Sequence, residues 1–274
     1  MKILILGCWG MLGHELMKIF EKEEVRGWDF KELDITDRKA VEKAINKLDP
    51  EVVINAAAYT SVDDCETSID KALKINGNAV GYLASACAQN GSILVHFSTD
   101  YVFDGKKKAG NSEEDIMDPI NVYGQSKAKG ELLIQEVMTR YYIVRTSWLY
   151  GKNGKNFVDM MLNMAKEKRV ARVVNDQNGS PTYALDLAET VALILKEEKP
   201  FGIYHVTNSG STTWYDFARE IFKIMKQDVP LQAVTSKEFP RAAKRPEYSI
   251  LLNSKLKPLR PWKEALRDYL NLKG

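Results

Sequence analysis

A tyrosine and a lysine four positions apart are the residues of this sequence best suited to acid–base chemistry. Tyr123 and Lys127 form a Y-x-x-x-K pattern at the start of a predicted helix over 126–138, and residues four apart lie on one helix face. A phenol has an ordinary pKa of about 10, and a neighbouring ammonium group lowers it by favouring the phenolate. We therefore expect Tyr123 to donate a proton to a carbonyl oxygen that is being reduced.

A short polar segment supplies a third candidate for the same chemistry. Ser98, Thr99 and Asp100 directly follow a predicted strand over 93–97. The carboxyl ends of parallel strands meet at the ligand crevice of an α/β sheet, so Thr99 is expected to hydrogen-bond the carbonyl oxygen that Tyr123 protonates. Thr99, Tyr123 and Lys127 are the predicted catalytic residues.

Three glycines form a loop between the first predicted strand, over 2–6, and the first predicted helix. Gly7 permits a tight exit from the strand, Gly10 lets a pyrophosphate approach the backbone, and Gly13 allows close helix–sheet packing. The helix N-terminus adds free N–H groups and a partial positive charge. We predict a dinucleotide site here, with Met11 and Leu12 contributing to it.

The second predicted strand ends on an acidic residue that bears on cofactor choice. Asp29 lies about twenty residues beyond the glycine loop, where a carboxylate can hydrogen-bond the ribose hydroxyls of NAD. Lys31 could instead accompany the 2′-phosphate of NADP. The sequence therefore predicts NADPH or NADH as the cofactor and leaves the choice between them open.

Short apolar runs alternate with longer amphipathic segments through the first half of the chain. The predicted strands cover 2–6, 25–29, 52–54, 93–97 and 142–145, and the predicted helices cover 12–22, 38–47, 69–89 and 126–138. This alternation predicts a parallel sheet with helices on both faces and right-handed crossovers. The pattern loosens near Gly151, beyond which helices are predicted over 156–168, 184–197 and 214–226.

The composition excludes several classes of protein. Among 274 residues, 39 basic and 37 acidic side chains give a net charge of +2, and 45% of residues are hydrophobic. A balanced charge argues against nucleic-acid or membrane-surface binding, and the apolar fraction argues against intrinsic disorder. Three scattered cysteines indicate reduced thiols in a cytoplasmic protein. We expect no nucleic-acid partner and no membrane span.

Longer motifs narrow the comparison to one family. The G-x-x-G-x-x-G spacing and the Thr99–Tyr123–Lys127 set resemble the extended branch of the short-chain dehydrogenase/reductase superfamily. Further strings resemble the dTDP-4-dehydrorhamnose reductase family, in that family's order: NAAAYT at 55–60, STDYVFDG at 98–105, RTSWLYG at 145–151, DQ at 176–177, GSPT at 179–182 and RP at 245–246. These matches span nearly the whole chain.

The resemblance implies a fold and a domain division. The fold would be α/β, with a Rossmann-type doubly wound parallel sheet and a smaller α/β substrate-binding lobe. Residues 1–150 would form the NAD(P)-binding domain with the catalytic residues. Residues 151–274 would mainly build the lobe, with some segments returning to the sheet.

The resemblance also implies an activity. This is the reduction of the C4 ketone of dTDP-6-deoxy-L-lyxo-4-hexulose to dTDP-L-rhamnose, in nucleotide-sugar and cell-surface polysaccharide biosynthesis. Ala56, Ala57 and Ala58 would line the cofactor, because small side chains let a ring system lie close to the backbone. Tyr123 and Lys127 would also bind the cofactor, with Lys127 holding the nicotinamide ribose. Asp34 and Ile35 would flank the adenine, although the same residues equally fit an acidic turn.

The nucleotide-sugar substrate would be held by four side chains. Thr99 and Asp100 would meet the sugar, and Trp148 would stack on its C–H face or pack in the core. A diphosphate needs cations, and arginine binds phosphate in a bidentate manner. Arg245 is the first candidate, and two further arginines, Arg169 and Arg241, are weaker ones.

Two other functions remain open at this point. A nucleotide-sugar epimerase or dehydratase would share the loop and the triad but keep its nicotinamide tightly bound. A non-catalytic regulatory subunit would bind the cofactor alone and would not need all three of Thr99, Tyr123 and Lys127. Some family members bind Mg²⁺ between subunits, and Glu15 and Glu189 are matches, but Glu15 fits a solvated helix face better and we predict no metal. A homodimer is one expectation for an oligomeric state that the sequence does not define.

Overall fold

The computed structural model describes residues 1–273, and the regular structure of that part of the chain consists of twelve strands, ten α-helices, a π-helical turn (Leu73–Asn78) and a 3₁₀ turn (Asp100–Val102). The strands are β1 (Lys2–Leu6), β2 (Glu24–Trp28), β3 (Val52–Asn55), β4 (Ile93–Thr99), β5 (Tyr141–Thr146), β6 (Leu149–Tyr150), β7 (Ala171–Val174), β8 (Asn178–Gly179), β9 (Thr182–Tyr183), β10 (Gly202–His205), β11 (Thr212–Thr213) and β12 (Leu231–Val234). The helices are α1 (Met11–Ile19), α2 (Arg38–Leu48), α3 (Val62–Thr67), α4 (Ile69–Ala72), α5 (Ala79–Asn90), α6 (Val122–Val137), α7 (Phe157–Lys166), α8 (Ala184–Lys196), α9 (Trp214–Ile224) and α10 (Trp262–Asn271).

Six strands form the central sheet in the order β10-β5-β4-β3-β1-β2. Every neighbouring pair in this sheet is parallel. The chain steps from β1 to β2 on one side and to β3 on the other, so the direction of sheet growth reverses between β1 and β3. Ligands of open α/β sheets bind at such a reversal, outside the carboxyl ends of the strands.

The sheet is covered on both faces, as its uninterrupted apolar strands require. Successive side chains of β1 point to opposite faces. Ile3 and Ile5 pack with helices α1 and α8 on one face. Leu4 and Leu6 pack with α2 and α5 on the other face. The α/β fold and the parallel sheet predicted from the sequence are confirmed.

The second half of the chain contributes to both the sheet and a separate lobe. Strand β10 pairs with β5, and α8 packs against α1, so these two elements belong to the sheet. The rest builds an aromatic-rich core from α7, α9 and α10 with the parallel pair β7 and β12. The division at residue 150 stays a prediction.

Three elements differ from the sequence-based expectation. Helix α6 begins at Val122 rather than 126, because the Asn121 side chain accepts a hydrogen bond from Gly124 N at 2.8 Å and caps the helix. The segment predicted as one helix over 69–89 contains a π-helical turn at Leu73–Asn78. Helix α10 was not predicted, although Trp262, Leu266 and Leu270 recur at helical spacing.

Within residues 1–273, none of the helices combines the length and the apolar character that crossing a membrane requires.

Candidate functional site

The glycine loop lies at the reversal point of the sheet, between β1 and α1. Gly7 has a φ of +75°, and a Cβ added to Gly13 would lie 2.1 Å from the Gly7 carbonyl oxygen. Glycine is required at both positions for these two reasons. Inside α1 the backbone hydrogen bonds begin with His14 N to Gly10 O, at 3.0 Å. The preceding amides, those of Met11 and Leu12 among them, have no helical carbonyl and are available to an anionic ligand.

A first cavity, of about 640 Å³, opens beside the glycine loop. Its walls include most of the residues predicted to bind the cofactor: Gly7, Gly10, Asp29, Asp34, Ile35, Ala56, Ala57 and Ala58. Asp29 accepts hydrogen bonds from Trp9 N at 3.3 Å and Phe30 N at 2.8 Å. Lys71 and Lys74 line the same cavity. Neither lysine is predicted from the sequence, because nothing in the sequence connects α4 and the π-helical turn to this site.

Asp34 fits both interpretations left open by the sequence. Its Oδ1 accepts hydrogen bonds from Thr36 N at 2.9 Å and from the Thr36 hydroxyl at 2.7 Å, which forms a turn. These bonds lower the pKa of Asp34. The same residue is part of the cavity wall, so the turn and the ligand-lining role coexist.

A second cavity, of about 580 Å³, contains the predicted catalytic residues. Thr99, Tyr123 and Lys127 all line it, together with Met11, Leu12, Gly13, Asp100 and Trp148. It shares Gly10, Ala56 and Ala58 with the first cavity. Both volumes are in the range of small-molecule sites. The two cavities therefore adjoin at the glycine loop. This arrangement suits an elongated ligand that occupies both cavities.

The catalytic candidates are held by specific hydrogen bonds. The Thr99 hydroxyl donates to Asp100 Oδ1 at 2.9 Å and accepts from Tyr101 N at 3.2 Å. The Lys127 ammonium donates to the Phe97 carbonyl at 2.6 Å. The Tyr123 ring lies edge-on to Tyr101, with ring centroids 5.9 Å apart.

The electrostatics of Tyr123 differ from the sequence-based expectation. Burial, followed by the Asp100 carboxylate, raises the pKa of Tyr123 above its ordinary value. Burial also lowers the pKa of Lys127 to about 8, against the opposing effect of Glu131. Lys127 instead donates to the Phe97 carbonyl, and it is not among the groups that shift the pKa of Tyr123. Tyr123 consequently keeps its proton at neutral pH, which is the state that a proton donor needs.

A buried polar pair that no sequence motif indicates, His96 and Asn55, lies behind Lys127. His96 Nε2 is 3.3 Å from Lys127 Nζ, and His96 Nδ1 is 3.1 Å from Asn55 Nδ2. Asn55 Oδ1 accepts a hydrogen bond from Ala57 N at 3.1 Å. A chain of polar contacts therefore connects the segment after β3, which lines the first cavity, to Lys127.

Trp148 lies between the catalytic cavity and the C-terminal lobe. Its ring stacks on Trp214 with centroids 3.6 Å apart and planes 9° from parallel. Gly179 packs so closely that an added Cβ would lie 2.4 Å from the Trp148 ring. Trp148 has a φ of +47°, an uncommon value for a bulky residue. Trp148 thus packs against the lobe and also lines the second cavity.

A third cavity, of about 360 Å³, adjoins the catalytic one through the Asp100–Tyr101 peptide and the Trp148–Trp214 stack. Its walls carry aromatic and basic side chains: Tyr101, Phe157, Trp214, Arg172, Arg241 and Arg245. Arg245 Nη1 donates to Asp63 Oδ1 at 2.8 Å and to the Ala243 carbonyl at 2.7 Å. Arg169 instead pairs with Glu167 on the surface and does not line this cavity.

Glu15 is buried at 8% exposure, so its assignment to a solvated helix face is wrong. Its charge acts on Glu189, whose pKa is raised mainly by burial and then by Asp186. Across residues 1–273, the structure contains no group of three or more acidic, cysteine or histidine side chains arranged to hold a metal ion.

The sheet reversal, the glycine loop and a tyrosine–lysine pair on one helix define a dinucleotide-dependent enzyme of the extended short-chain dehydrogenase/reductase class. Within that class, the chain belongs to the dTDP-4-dehydrorhamnose reductase family. The family model described as "RmlD substrate binding domain" matches residues 1–273.

Three relatives show how close the similarity is. A dTDP-4-dehydrorhamnose reductase of Aggregatibacter actinomycetemcomitans is 42% identical, covering 97% of each chain. The crystal structure of such a reductase from Clostridium acetobutylicum is 44% identical, with a TM-score of 0.97 over 100% of this chain and 99% of that one. A Bacillus anthracis reductase in complex with NADP is 39% identical, with a TM-score of 0.96 over 99% of this chain and 100% of that one.

Proposed function

We propose that the chain catalyses the NAD(P)H-dependent reduction of the C4 ketone of dTDP-4-dehydrorhamnose to dTDP-L-rhamnose. One observation carries the proposal: the cavity with Thr99, Tyr123 and Lys127 adjoins both the glycine-loop cavity and the cavity lined by arginines and aromatic rings. A ketone in the middle cavity can therefore lie between a dinucleotide on one side and a nucleoside diphosphate on the other.

The residues of the first cavity fit the cofactor. Gly7 and Gly13 bring the backbone turns together, and the free amides at the start of α1 suit a pyrophosphate. Asp29 suits the ribose hydroxyls of NADH, whereas Lys71 and Lys74 offer the positive charge that the 2′-phosphate of NADPH needs. When bound, the cofactor supplies the hydride. The residues are thus compatible with both NADPH and NADH.

Three side chains then act on the ketone oxygen. Tyr123 is half-buried and protonated and donates the proton. Thr99, at the carboxyl end of β4, hydrogen-bonds the same oxygen. Lys127 lines the same cavity, where the Phe97 carbonyl fixes its ammonium group, and it would hold the ribose of the nicotinamide half. The protein contributes position and electrostatics to the reduction.

The third cavity suits the nucleoside diphosphate of the substrate. Phe157 and Trp214 provide flat apolar faces for a pyrimidine base, and Arg241 and Arg245 provide cations for the diphosphate. Because Arg245 is already fixed by Asp63 at 2.8 Å, it needs little reordering when the substrate binds. Asp100 and Trp148 complete the sugar site between this cavity and Tyr123.

A single assay tests the proposed function against its alternatives. On addition of a dTDP-4-keto-6-deoxy sugar, the absorbance of NADPH or NADH should fall, and one reduced sugar should form per cofactor consumed. An epimerase or dehydratase would convert its sugar with no net consumption of the cofactor. A regulatory subunit would bind NADPH and consume none, and either result would refute the reductase assignment.

Substitution of Arg245 tests the substrate site separately from the chemistry. We expect Arg245→Met to raise the KM for the sugar nucleotide about tenfold or more, since losing a charge-assisted contact costs about 1.5–3 kcal/mol. The Kd for NADPH should stay unchanged because Arg245 does not line the cofactor cavity. Arg169→Met, on the surface, is the matched control and should leave both constants unaltered. An unchanged KM for Arg245→Met would exclude Arg245 from the substrate site.

The cytoplasmic location and the homodimer expected from the sequence stay predictions. Size-exclusion chromatography with light scattering on the purified chain would test the homodimer directly.

A further inference from the structure

Asn55, His96 and Lys127 form a row of buried polar contacts, here called the polar row. Each of the three residues is at most 2% exposed. Asn55 and His96 are direct partners in the β3–β4 pairing, and Asn55 Nδ2 lies 3.1 Å from His96 Nδ1. His96 Nε2 lies 3.3 Å from Lys127 Nζ. Because the row is closed to bulk water, its donors and acceptors have to match one another.

Ala57 fixes the direction of the hydrogen bonds in the polar row. Its N–H group donates to Asn55 Oδ1 at 3.1 Å, so the Asn55 side chain presents its NH₂ group, a donor, to His96 Nδ1. A neutral imidazole has one N–H group and one acceptor nitrogen. Nδ1 is therefore the acceptor, and Nε2 carries the proton and directs it at Lys127. The opposite direction would turn the Asn55 NH₂ group towards the Ala57 N–H group and leave that donor without an acceptor.

This direction favours the neutral amine of Lys127. An ammonium group has three N–H donors and no acceptor, so it cannot accept a hydrogen bond from His96 Nε2. The neutral amine has a lone pair for that bond and can still donate to the Phe97 carbonyl at 2.6 Å. Each contact of the polar row then joins a donor to an acceptor.

The groups around Lys127 agree with a weakly held proton. Burial lowers the pKa of Lys127 to about 8, and Glu131, one turn further along α6, acts in the opposite direction. Burial, followed by the charge of Lys127, also holds the pKa of His96 well below its ordinary value, so His96 stays neutral. Tyr123 and Asp100 line the same cavity, and neither is among the groups that shift the pKa of Lys127.

We propose that Asn55 and His96 are positioning residues that weaken the hold of Lys127 on its proton. The consequence for the reaction rests on the proposed function, in which the Lys127 ammonium supplies N–H donors for the nicotinamide ribose. The ammonium is present below a pKa of about 8 and is lost above it. The wild-type kcat should therefore fall as the pH rises through about 8.

Nitrogen-15 NMR of the unmodified, cofactor-free protein tests the direction of the polar row. The chain contains only three histidines, and the His96 signals are identified by their absence from a His96→Gln variant. We expect the single imidazole proton of His96 on Nε2. A proton on Nδ1 would overturn the proposal.

An Asn55→Asp variant should reverse the polar row. One carboxylate oxygen still accepts from Ala57 N, and the other accepts from His96 Nδ1, which must then carry the imidazole proton. His96 Nε2 becomes an acceptor for the Lys127 ammonium. We expect the affinity of Lys127 for its proton to rise about tenfold or more, the effect of one hydrogen bond to a charged group. The fall in kcat should move to higher pH by the same factor.

Carbon-13 NMR of labelled lysine measures the proton affinity directly, with the Lys127 signal identified by its absence from Lys127→Arg. Asn121→Asp is the matched control. Asn121 is 3% exposed and caps the helix that carries Lys127, and its side chain bonds Gly124 N and the Lys244 carbonyl. This variant adds the same charge and keeps an acceptor for Gly124 N, so the His96 proton should stay on Nε2.

Two results of these titrations would overturn the proposal. One is an unchanged proton affinity of Lys127 in Asn55→Asp. The other is an equal rise in Asn55→Asp and Asn121→Asp, which would assign the effect to added charge alone. Absence of NADH and NADPH oxidation by the wild-type protein would instead refute the proposed function, and both NMR measurements would still decide the role of Asn55 and His96.

Discussion

Replacement of Tyr123 by phenylalanine is expected to lower kcat by about 10²- to 10⁴-fold, the range that a positioned proton donor contributes. The change removes one hydroxyl and keeps the ring, so the edge-on packing against Tyr101 at 5.9 Å is retained. NADPH binding should change little, because the glycine loop and Asp29 are untouched. Cofactor fluorescence titration and steady-state absorbance measure the two quantities separately.

Tyr142→Phe is the matched control for this experiment. The Tyr142 hydroxyl donates to the Lys199 carbonyl at 2.6 Å, outside the catalytic cavity. Its loss should cost about 1 kcal/mol of stability and leave kcat unchanged. Near wild-type turnover by Tyr123→Phe would overturn the assignment of Tyr123 as the proton donor. Loss of activity together with loss of NADPH binding would point to a structural role instead.

Replacement of Arg145 by methionine is expected to lower the free energy of unfolding by about 3–5 kcal/mol. Arg145 and Glu131 form a bidentate pair, with Nη2 to Oε2 at 2.7 Å and Nε to Oε1 at 3.0 Å. Their side chains are only 2% and 0% exposed. Removing the arginine leaves a buried carboxylate without its counter-charge, and that uncompensated charge accounts for the large effect.

Loss of the Arg145–Glu131 pair should also disturb the position of the helix that carries the active-site candidates. Glu131 lies on α6, which carries Tyr123 and Lys127, while Arg145 lies on the neighbouring strand β5. Urea unfolding followed by circular dichroism measures the stability change. Arg169→Met breaks a surface pair with side chains 65% and 56% exposed, and it should cost at most about 1 kcal/mol. Equal midpoints for the two variants would contradict the importance assigned to the buried pair.

The features predicted well from the sequence depend on neighbouring residues. The glycine loop was recognised because strand, turn and helix follow one another within residues 2–22, and each glycine answers a local steric demand. The parallel sheet was recognised because apolar runs of strand length alternate with amphipathic helices. The alignment of Tyr123 and Lys127 follows from the pitch of a helix, and it holds even though α6 begins four residues earlier than expected.

Charge states and the hydrogen-bond and ion-pair partners of the site residues were predicted less well, because they depend on segments far apart in the chain. Lys127 lies on α6, and the Phe97 carbonyl that binds it belongs to β4. Burial raises the pKa of Tyr123, whereas its lysine neighbour was expected to lower that pKa. Arg245 forms its ion pair with Asp63, which lies 182 positions earlier in the chain.

Residue types and spacing were enough to identify the family and to predict the cofactor loop and the catalytic candidates Thr99, Tyr123 and Lys127, since the loop and the Tyr123–Lys127 pair each depend on neighbouring residues. The burial of Asp100, the ion pair of Arg245 and the stack of Trp148 on Trp214 required the folded chain. These features arise when distant segments exclude water around the same side chains, and solvent exclusion is not a property of any short stretch of sequence.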